Sequence, residues 1–326
     1  MNFRDASFTQ VLREQVGNVN VRVMEAPLTD IVYPDLIPVN TSYGEWQEAA
    51  PAITFGPGFG EAQWITGYSK DVPLVEAGAT AEMHGFDMYA VGYEVNIEEI
   101  GKAANVGYNI SDRKAMIARR KAEEFIEDKA FFGDANKGWT GLTNKAGVTP
   151  QPAAPKAAGG TQWVNNDGTL NATPAEIASD FITLVMGPAS VERSVKPIVA
   201  DTVLLPSRAY RALVSNVTDV LQGGVSVMEY ARRQVEGATG QSLRIVEVPE
   251  LATSATVGII GGGRAVGYRR SVDVIELPMA AAFRFYNDYR DAPFGWMVPG
   301  WGRFAEVMVH ETRAFRYLDG VEEVPA

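Results

Sequence analysis

The run Ser111 to Phe132, SDRKAMIARRKAEEFIEDKAFF, constrains the fold of this chain more than any other stretch. Ala115, Ala118, Ala122, Phe125, Ile126 and Ala130 recur three and four residues apart, the spacing of one narrow apolar stripe on a helix. Ser111 or Asp112 is the expected N-cap and Gly133 the expected stop. The charges run against the helix dipole. Arg113, Lys114, Arg119, Arg120 and Lys121 precede Glu123, Glu124, Glu127 and Asp128, and this basic-before-acidic order is the weaker one for pairs four apart. Such terms are worth about 1 kcal/mol or less each, so packing holds the helix and the charges need another purpose.

Upstream, Tyr89, Val91, Tyr93, Val95 and Ile97 alternate with Ala90, Gly92, Glu94, Asn96 and Glu98, the period of a half-buried strand. EAQWITGYSKDVP (61–73) reads as a partner strand, with the small and acidic VEAGATAEMHG (75–85) as the tip of a long hairpin. A hairpin of this kind is marginal alone in water and must lie on something, such as another subunit. Residues 1 to 45 read as an arm, and the prolines of YPDLIP (33–38) predict extended backbone there. Residues 145–172, rich in Ala, Pro and Gly, read as a loop or boundary.

Thr173-Pro174-Ala175-Glu176 is a capping box with proline at the first helical position, and it predicts a helix running to Gly187-Pro188. Pro197 to Leu205 reads as a strand, SRAYRALVS and VSVMEYARRQV as helices. The last hundred residues favour strands: LRIVEVPEL, TVGIIGG, AVGYRRSVDVIELP and RFAEVMVHETRAFRYLDG, with Gly261-Gly262-Gly263 as a turn. Taken together these elements predict an α+β protein.

The chemistry-bearing residues give little to an enzyme. Without cysteine there is no disulfide framework, thiolate metal site or Cys nucleophile. His84, in the expected hairpin tip, reads as a surface residue; His310, in a strand, reads as a satisfied structural one. GGVSVM lacks the second glycine of a nucleophile elbow, and Gly56–Gly60 and Gly258–Gly263 lack phosphate-loop spacing. A net charge of −11 argues against a surface made to neutralise phosphates. Tyr89 and Tyr93 with Trp64 and Tyr68 could stack on bases or sugars, but no basic residues interleave with them, which favours packing beneath a neighbouring element. Phe294-Gly-Trp-Met-Val-Pro-Gly-Trp301 also reads as packing, and as an interface if exposed. The opening MNFRDASFTQVLREQ shows no signal-peptide pattern and no long apolar run follows, so a cytoplasmic protein is expected.

Several strings carry a resemblance. Glu124-Phe-Ile-Glu-Asp128, then Phe132-Gly133, then Gly141-Leu142-Thr-Asn144 look like an acidic helix end, a glycine stop and a Gly-Leu-x-Asn loop. Ile198 to Leu213, with Tyr210, and the ending Val307 to Gly320, closing on Tyr317-Leu-Asp-Gly320, complete the order. In this order the sequence resembles the major capsid proteins of tailed bacteriophages, with the Hong Kong 97-like fold. The resemblance implies an N-terminal arm at 1–45 and an extended β-hairpin loop at 46–104. It further implies a spine helix with peripheral domain at 105–172, a mainly axial domain at 173–300 and a returning peripheral-domain strand at 301–326.

The implied function is a structural, non-catalytic one without cofactor or metal: self-assembly in hexamers and pentamers into the icosahedral shell around double-stranded DNA. The virion capsid, assembled in the host cytoplasm, is then the location. Separate scaffolding, portal and decoration proteins are the expected partners, with no membrane. Some relatives cross-link a lysine of the extended loop, but here the tip lacks lysine and Lys70 lies on the rising strand, so non-covalent interfaces are expected. Arg119, Arg120 and Lys121, with Trp64, Tyr68, Tyr89 and Tyr93, are the expected inter-subunit contacts. Two alternatives stay open at this point: an encapsulin-type nanocompartment shell, and a monomeric α+β hydrolase or carbohydrate-binding protein.

Overall fold

The computed structural model describes residues 30–55, 64, 74, 76, 78–106, 110–187, 198–218 and 224–324. In chain order it begins with α1 (Tyr33–Leu36), β1 (Val39–Asn40), β2 (Ala49–Phe55), β3 (Ala79–Gly85) and β4 (Asp87–Asn96). Two helices follow, α2 (Ile97–Val106) and α3 (Ile110–Phe132), then β5 (Gln151–Pro152) and α4 (Pro174–Met186). Next come β6 (Thr202–Leu205), α5 (Ser207–Ser215), α6 (Val227–Thr239), β7 (Arg244–Glu247) and β8 (Arg264–Tyr268). The chain closes with β9 (Ile275–Phe285), β10 (Tyr289–Ala292), β11 (Gly295–Phe304), β12 (Met308–Val309) and β13 (Phe315–Asp319). The α+β class is as the sequence predicts. Among the described residues no helix is long and apolar enough to cross a membrane.

The chain divides into two compact units. One comprises Met1–Val32, Asp87–Glu127 and Ala281–Arg303; the other Tyr33–Phe86, Asp128–Ala280 and Phe304–Ala326. In the first, the alternation of β4 is borne out: Tyr89 and Val95 are buried while Met88, Ala90, Gly92 and Glu94 face outward. Tyr89 stacks on Phe125 of α3 and Phe283 of β9 at 5.6 and 6.3 Å, and Tyr93 meets Phe285 edge-on at 5.5 Å. Aromatic pairs at these separations add about 0.5–1.5 kcal/mol each beyond area burial.

The second unit holds the main core. Its sheet has the order β5-β13-β8-β6-β7, with β8 antiparallel to both β13 and β6 and β7 parallel to β6. α4, α5 and α6 bury Ile177, Phe181, Ala209, Leu213, Val227 and Ala231 in one cluster with Val203 and Leu205 of β6. The Thr173 capping box, Pro174 and the Gly187 stop set α4 as expected, and α5 occupies the expected span. Ser226 of GGVSVM caps α6 by accepting the Glu229 amide, a structural use of that serine. The 145–172 loop contributes Trp163, fully buried on Phe181 at 5.3 Å, with its indole donating to Asp180 at 2.6 Å.

Five expectations need correction. YPDL forms the short helix α1, since Pro34 at its first turn removes an amide that would be unbonded anyway. The segment 79–85 is not a tip but β3, paired antiparallel with β2 from Ala49↔Gly85 to Phe55↔Ala79; small residues masked its alternation. The first strand expected at 61–73 lies outside the described residues, apart from Trp64. α3 starts at Ile110, so Ser111 and Asp112 sit in its first turn and are not the N-cap. Ile97 opens α2 instead of ending β4, because Asn96 Oδ1 accepts the Glu99 amide at 2.8 Å and starts a helix. TVGIIGG is a loop, its first two amides, Thr256 N and Val257 N, turned to Asp319.

Candidate functional site

The end of α3 answers what its glycine stop and the Gly-Leu-Thr-Asn loop are for. After Gly133 (φ 74°) the chain makes a small turn in which Asp134 pairs with Trp139, then folds back along the helix end. The last four carbonyls of α3 are all taken. Lys129 O accepts Gly133 N at 2.9 Å, Ala130 O accepts Leu142 N at 2.8 Å, Phe131 O accepts Thr143 N and Oγ1 at 3.0 and 2.8 Å, and Phe132 O accepts Asn144 Nδ2 at 3.0 Å. Helix ends leave these groups unpaired unless something returns to them. Gly141 is needed where the loop returns, since a Cβ there would stand 2.3 Å from Phe131 O.

The closing Tyr317-Leu-Asp-Gly320 meets that same loop. Tyr317 Oη donates to Leu142 O and accepts from Lys145 N, both at 2.8 Å. Asp319, fully buried, accepts Arg264 Nε and Nη2 at 2.5 and 2.8 Å, a bidentate pair. Arg264 also reaches Thr143 O, and its guanidinium lies 4.4 Å from the centre of the Tyr317 ring. Thr256 N and Val257 N complete the Asp319 shell at 2.7 and 3.1 Å. A buried ion pair is stabilising only with such full satisfaction. Two strings far apart in the sequence, with Leu142 and Tyr317 separated by 175 residues, thus form one joint.

Two glutamates act as further ties in the same unit. Glu306 Oε1 lies 2.5 Å from His84 Nδ1 on β3, and Oε2 accepts Thr140 N at 3.0 Å and faces Lys145 Nζ at 3.4 Å. Burial by itself would raise its pKa, but the His84 bond, the Lys145 charge and the Thr140 amide outweigh burial and hold it at about 2. Glu276 accepts Asn40 Nδ2 and Tyr43 Oη at 2.7 and 2.8 Å and pairs with His310 Nε2 at 3.2 Å. His310 is the satisfied structural residue expected. His84 is not a surface residue at a tip: its side chain is 14% exposed and anchors β3, because β3 is a strand whose alternation turns it inward. Sequence reasoning missed both ties, and nothing local to these residues marks them. A cleft of about 540 Å³ beside them is lined by His84, Lys145, Glu306 and His310. Among the described residues no group of three or more His, Asp or Glu side chains is placed to hold a metal ion.

The expected contact residues are dispersed. Arg119 is exposed; Arg120 and Lys121 both pair with Glu124 of their own helix, at 3.1 and 2.6 Å. The Lys121 and Arg120 bonds lower the Glu124 pKa. Met116 and Ile117 stand beside them at the surface. Trp64 is fully exposed, Tyr89 and Tyr93 pack within their unit, and Tyr68 lies outside the described residues. In the Phe294–Trp301 run, Phe294 is exposed and Trp301 sits under Arg284 at 4.6 Å.

The sequence matches the family model described as major capsid protein over residues 60–321. No curated protein matches it. The fold is similar to the capsid of Myoviridae phage XM1, with a TM-score of 0.72 and 14% identity over 94% of this chain and 97% of that one. It is also similar to the capsid of an empty gene transfer agent (GTA) particle, with a TM-score of 0.58 and 12% identity over 94% of each chain. The virus-like particle from Pyrococcus furiosus follows at 0.51, with 10% identity over 88% of this chain and 92% of that one. At such identities the likeness carries the fold, the Hong Kong 97-like one, and the family model carries the membership. The chain belongs to the major capsid protein family and is a structural subunit of a capsid shell.

Proposed function

We propose that this chain builds an icosahedral shell of hexamers and pentamers around double-stranded DNA, and that it works through surfaces and not through a catalytic group. The β2–β3 ribbon carries this reading. Among the described residues its two strands pair only with each other, and a two-stranded ribbon is marginal alone in water. Its base is buried through Ala50 and Ala52 against Phe86, Ala305 and Met308. On the opposite face Met83, paired with Pro51, is 73% exposed, and Leu74 is 83% exposed and Trp64 fully so. Such a surface is covered when the ribbon lies across a neighbouring subunit.

The opposite half of that contact is the exposed side of α3, where Arg119 and Lys121 flank Met116 and Ile117. The segment from 45 to 82 carries Glu45, Glu48, Glu61, Asp71, Glu76 and Glu82 against the single Lys70, so the charges are complementary. Trp64 and Tyr68 contact the neighbour directly, while Tyr89 and Tyr93 act one step behind, by fixing β4. The net charge of −11 keeps the inner wall from adhering to DNA. Assembly takes place in the host cytoplasm, with scaffolding, portal and decoration functions supplied by other proteins.

Electron microscopy of the purified chain tests the reading. Shells, tubes or capsomers are expected; discrete monomers at high concentration would sink it. A variant in which residues 56–78 are replaced by a short turn should remain soluble and fail to close shells. Normal closure would remove the role given to the ribbon.

A further inference from the structure

α5 begins behind Pro206, an N-cap residue with no side-chain acceptor to offer. The acceptor comes instead from a position 113 residues away: Glu322 Oε2 takes the Ala209 amide at 2.9 Å. Glu322 is 1% exposed, and its other oxygen, Oε1, is buried without a hydrogen-bond partner among the described residues. The seat is made for it. A Cβ on Gly263 would stand 2.3 Å from Glu322 Cγ and one on Gly262 would stand 2.5 Å from Glu322 O, so the triple glycine is a cradle as well as a turn. Trp163 N donates to Val321 O at 2.7 Å and Glu323 N to Val164 O at 3.3 Å, laying this segment alongside Val164. Val321 is fully buried.

Among the described residues around it, α5 brings Arg208, whose guanidinium also donates to Asn166 Oδ1 at 2.7 Å. The glycine cradle and Trp163–Val164 bring no charge. An ionised carboxylate here leaves one oxygen buried and unpaired, which is costly. A neutral acid keeps the Ala209 bond and carries its proton on the unpaired side.

We propose that Glu322 is a proton-operated latch: it seats Val321–Val324 against α5 when the carboxyl is neutral and loosens the segment when it ionises. The latch is independent of the assembly reading, because every group in it belongs to one subunit. Burial pushes the carboxyl up, against the opposing pull of the Ala209 amide and Arg208. For an acid raised in the folded state, stability is fully present below the unfolded value near 4.5 and is lost as pH rises through the folded value. The latch therefore shuts in acid and loosens in alkali, opposite in sign to Glu306.

Because the chain has no cysteine, a Val321→Cys variant reports on the segment alone through its rate of thiol labelling. The measurement is made with Glu322 present and in the E322Q background from about pH 4 to 8.5, and the ratio of rates cancels the ionisation of the thiol itself. The expected ratio is near one in acid, with the Glu322 chain labelling several-fold faster at the alkaline end. A ratio flat with pH overturns the latch. A second measurement needs no cysteine. The thermal midpoint of E322Q should match that of the parent in acid and exceed it by about 2 °C in alkali, and a gap that does not change with pH overturns the proposal.

Discussion

At its C-terminal end α3 hands its last four carbonyls to a loop that folds back on it, while before that end it keeps charged side chains at the surface and pairs Arg120 and Lys121 with Glu124. The one helix, 23 residues and about 34 Å long, therefore ends in two kinds of environment. At the joint, polar groups are desolvated, so each lost partner leaves a buried orphan. Around Arg120, Lys121 and Glu124, water stands ready to replace a lost partner, so pairs there contribute little to folding. The difference separates residues that hold the subunit together from those proposed to meet other subunits. Under that proposal the charge order that opposes the dipole has a reason: surface terms of a few tenths of a kcal/mol are small enough to be given up for an interface.

The largest effect is expected from Arg264→Ala, which leaves Asp319 charged and buried and Thr143 O unbonded. Its cost should be about 3–5 kcal/mol in denaturant unfolding of the subunit, and a cost below about 1 kcal/mol would break the contrast. Gly141→Ala comes next, at about 1–3 kcal/mol, because its Cβ would meet Phe131 O at 2.3 Å and force the loop off the helix end. Glu306 gives a pH test of the same unit. Its folded pKa of about 2 lies below the ordinary 4.5, so its stabilisation is present above 4.5 and is lost as pH falls through about 2. The advantage of the parent over Glu306→Gln in thermal midpoint should thus shrink between pH 5 and 3; an advantage constant over that range would show that Glu306 is not held by charge. Smallest in folding is the double reversal Arg119→Glu, Arg120→Glu, expected to stay within about 0.5 kcal/mol for the subunit while impairing shell closure by electron microscopy. Unaltered closure would remove the contact role of these two residues.

Much of the fold was legible where a local signal is strong. The capping box at Thr173, the alternation of β4, the stop at Gly133 and the span of α5 all follow from backbone periodicity and allowed φ, which act over a few residues. β3 is hidden because Ala, Thr and Gly give the alternation little contrast, and the start of α2 because Asn96, Ile97 and Glu98 continue the alternation of β4. TVGIIGG, rich in β-branched residues, is a loop in which Asp319 claims the first two amides. The candidate site was legible only as separate strings. Gly-Leu-Thr-Asn and Tyr-Leu-Asp-Gly each stood out, but neither says that it touches the other.

The sequence by itself determined the α3 spine, its charged and apolar stripes, the second-half helices and, through the order of its strings, the family. Only the tertiary structure decided that Arg264 belongs to Asp319, that His84 and Thr140 share Glu306, and that Glu322 caps a helix begun by Pro206. The physical reason is range. Helix starts, stops and strand alternation are settled by neighbours along the chain, whereas a buried charge is settled by whichever distant group arrives to satisfy it, and that choice is made by packing.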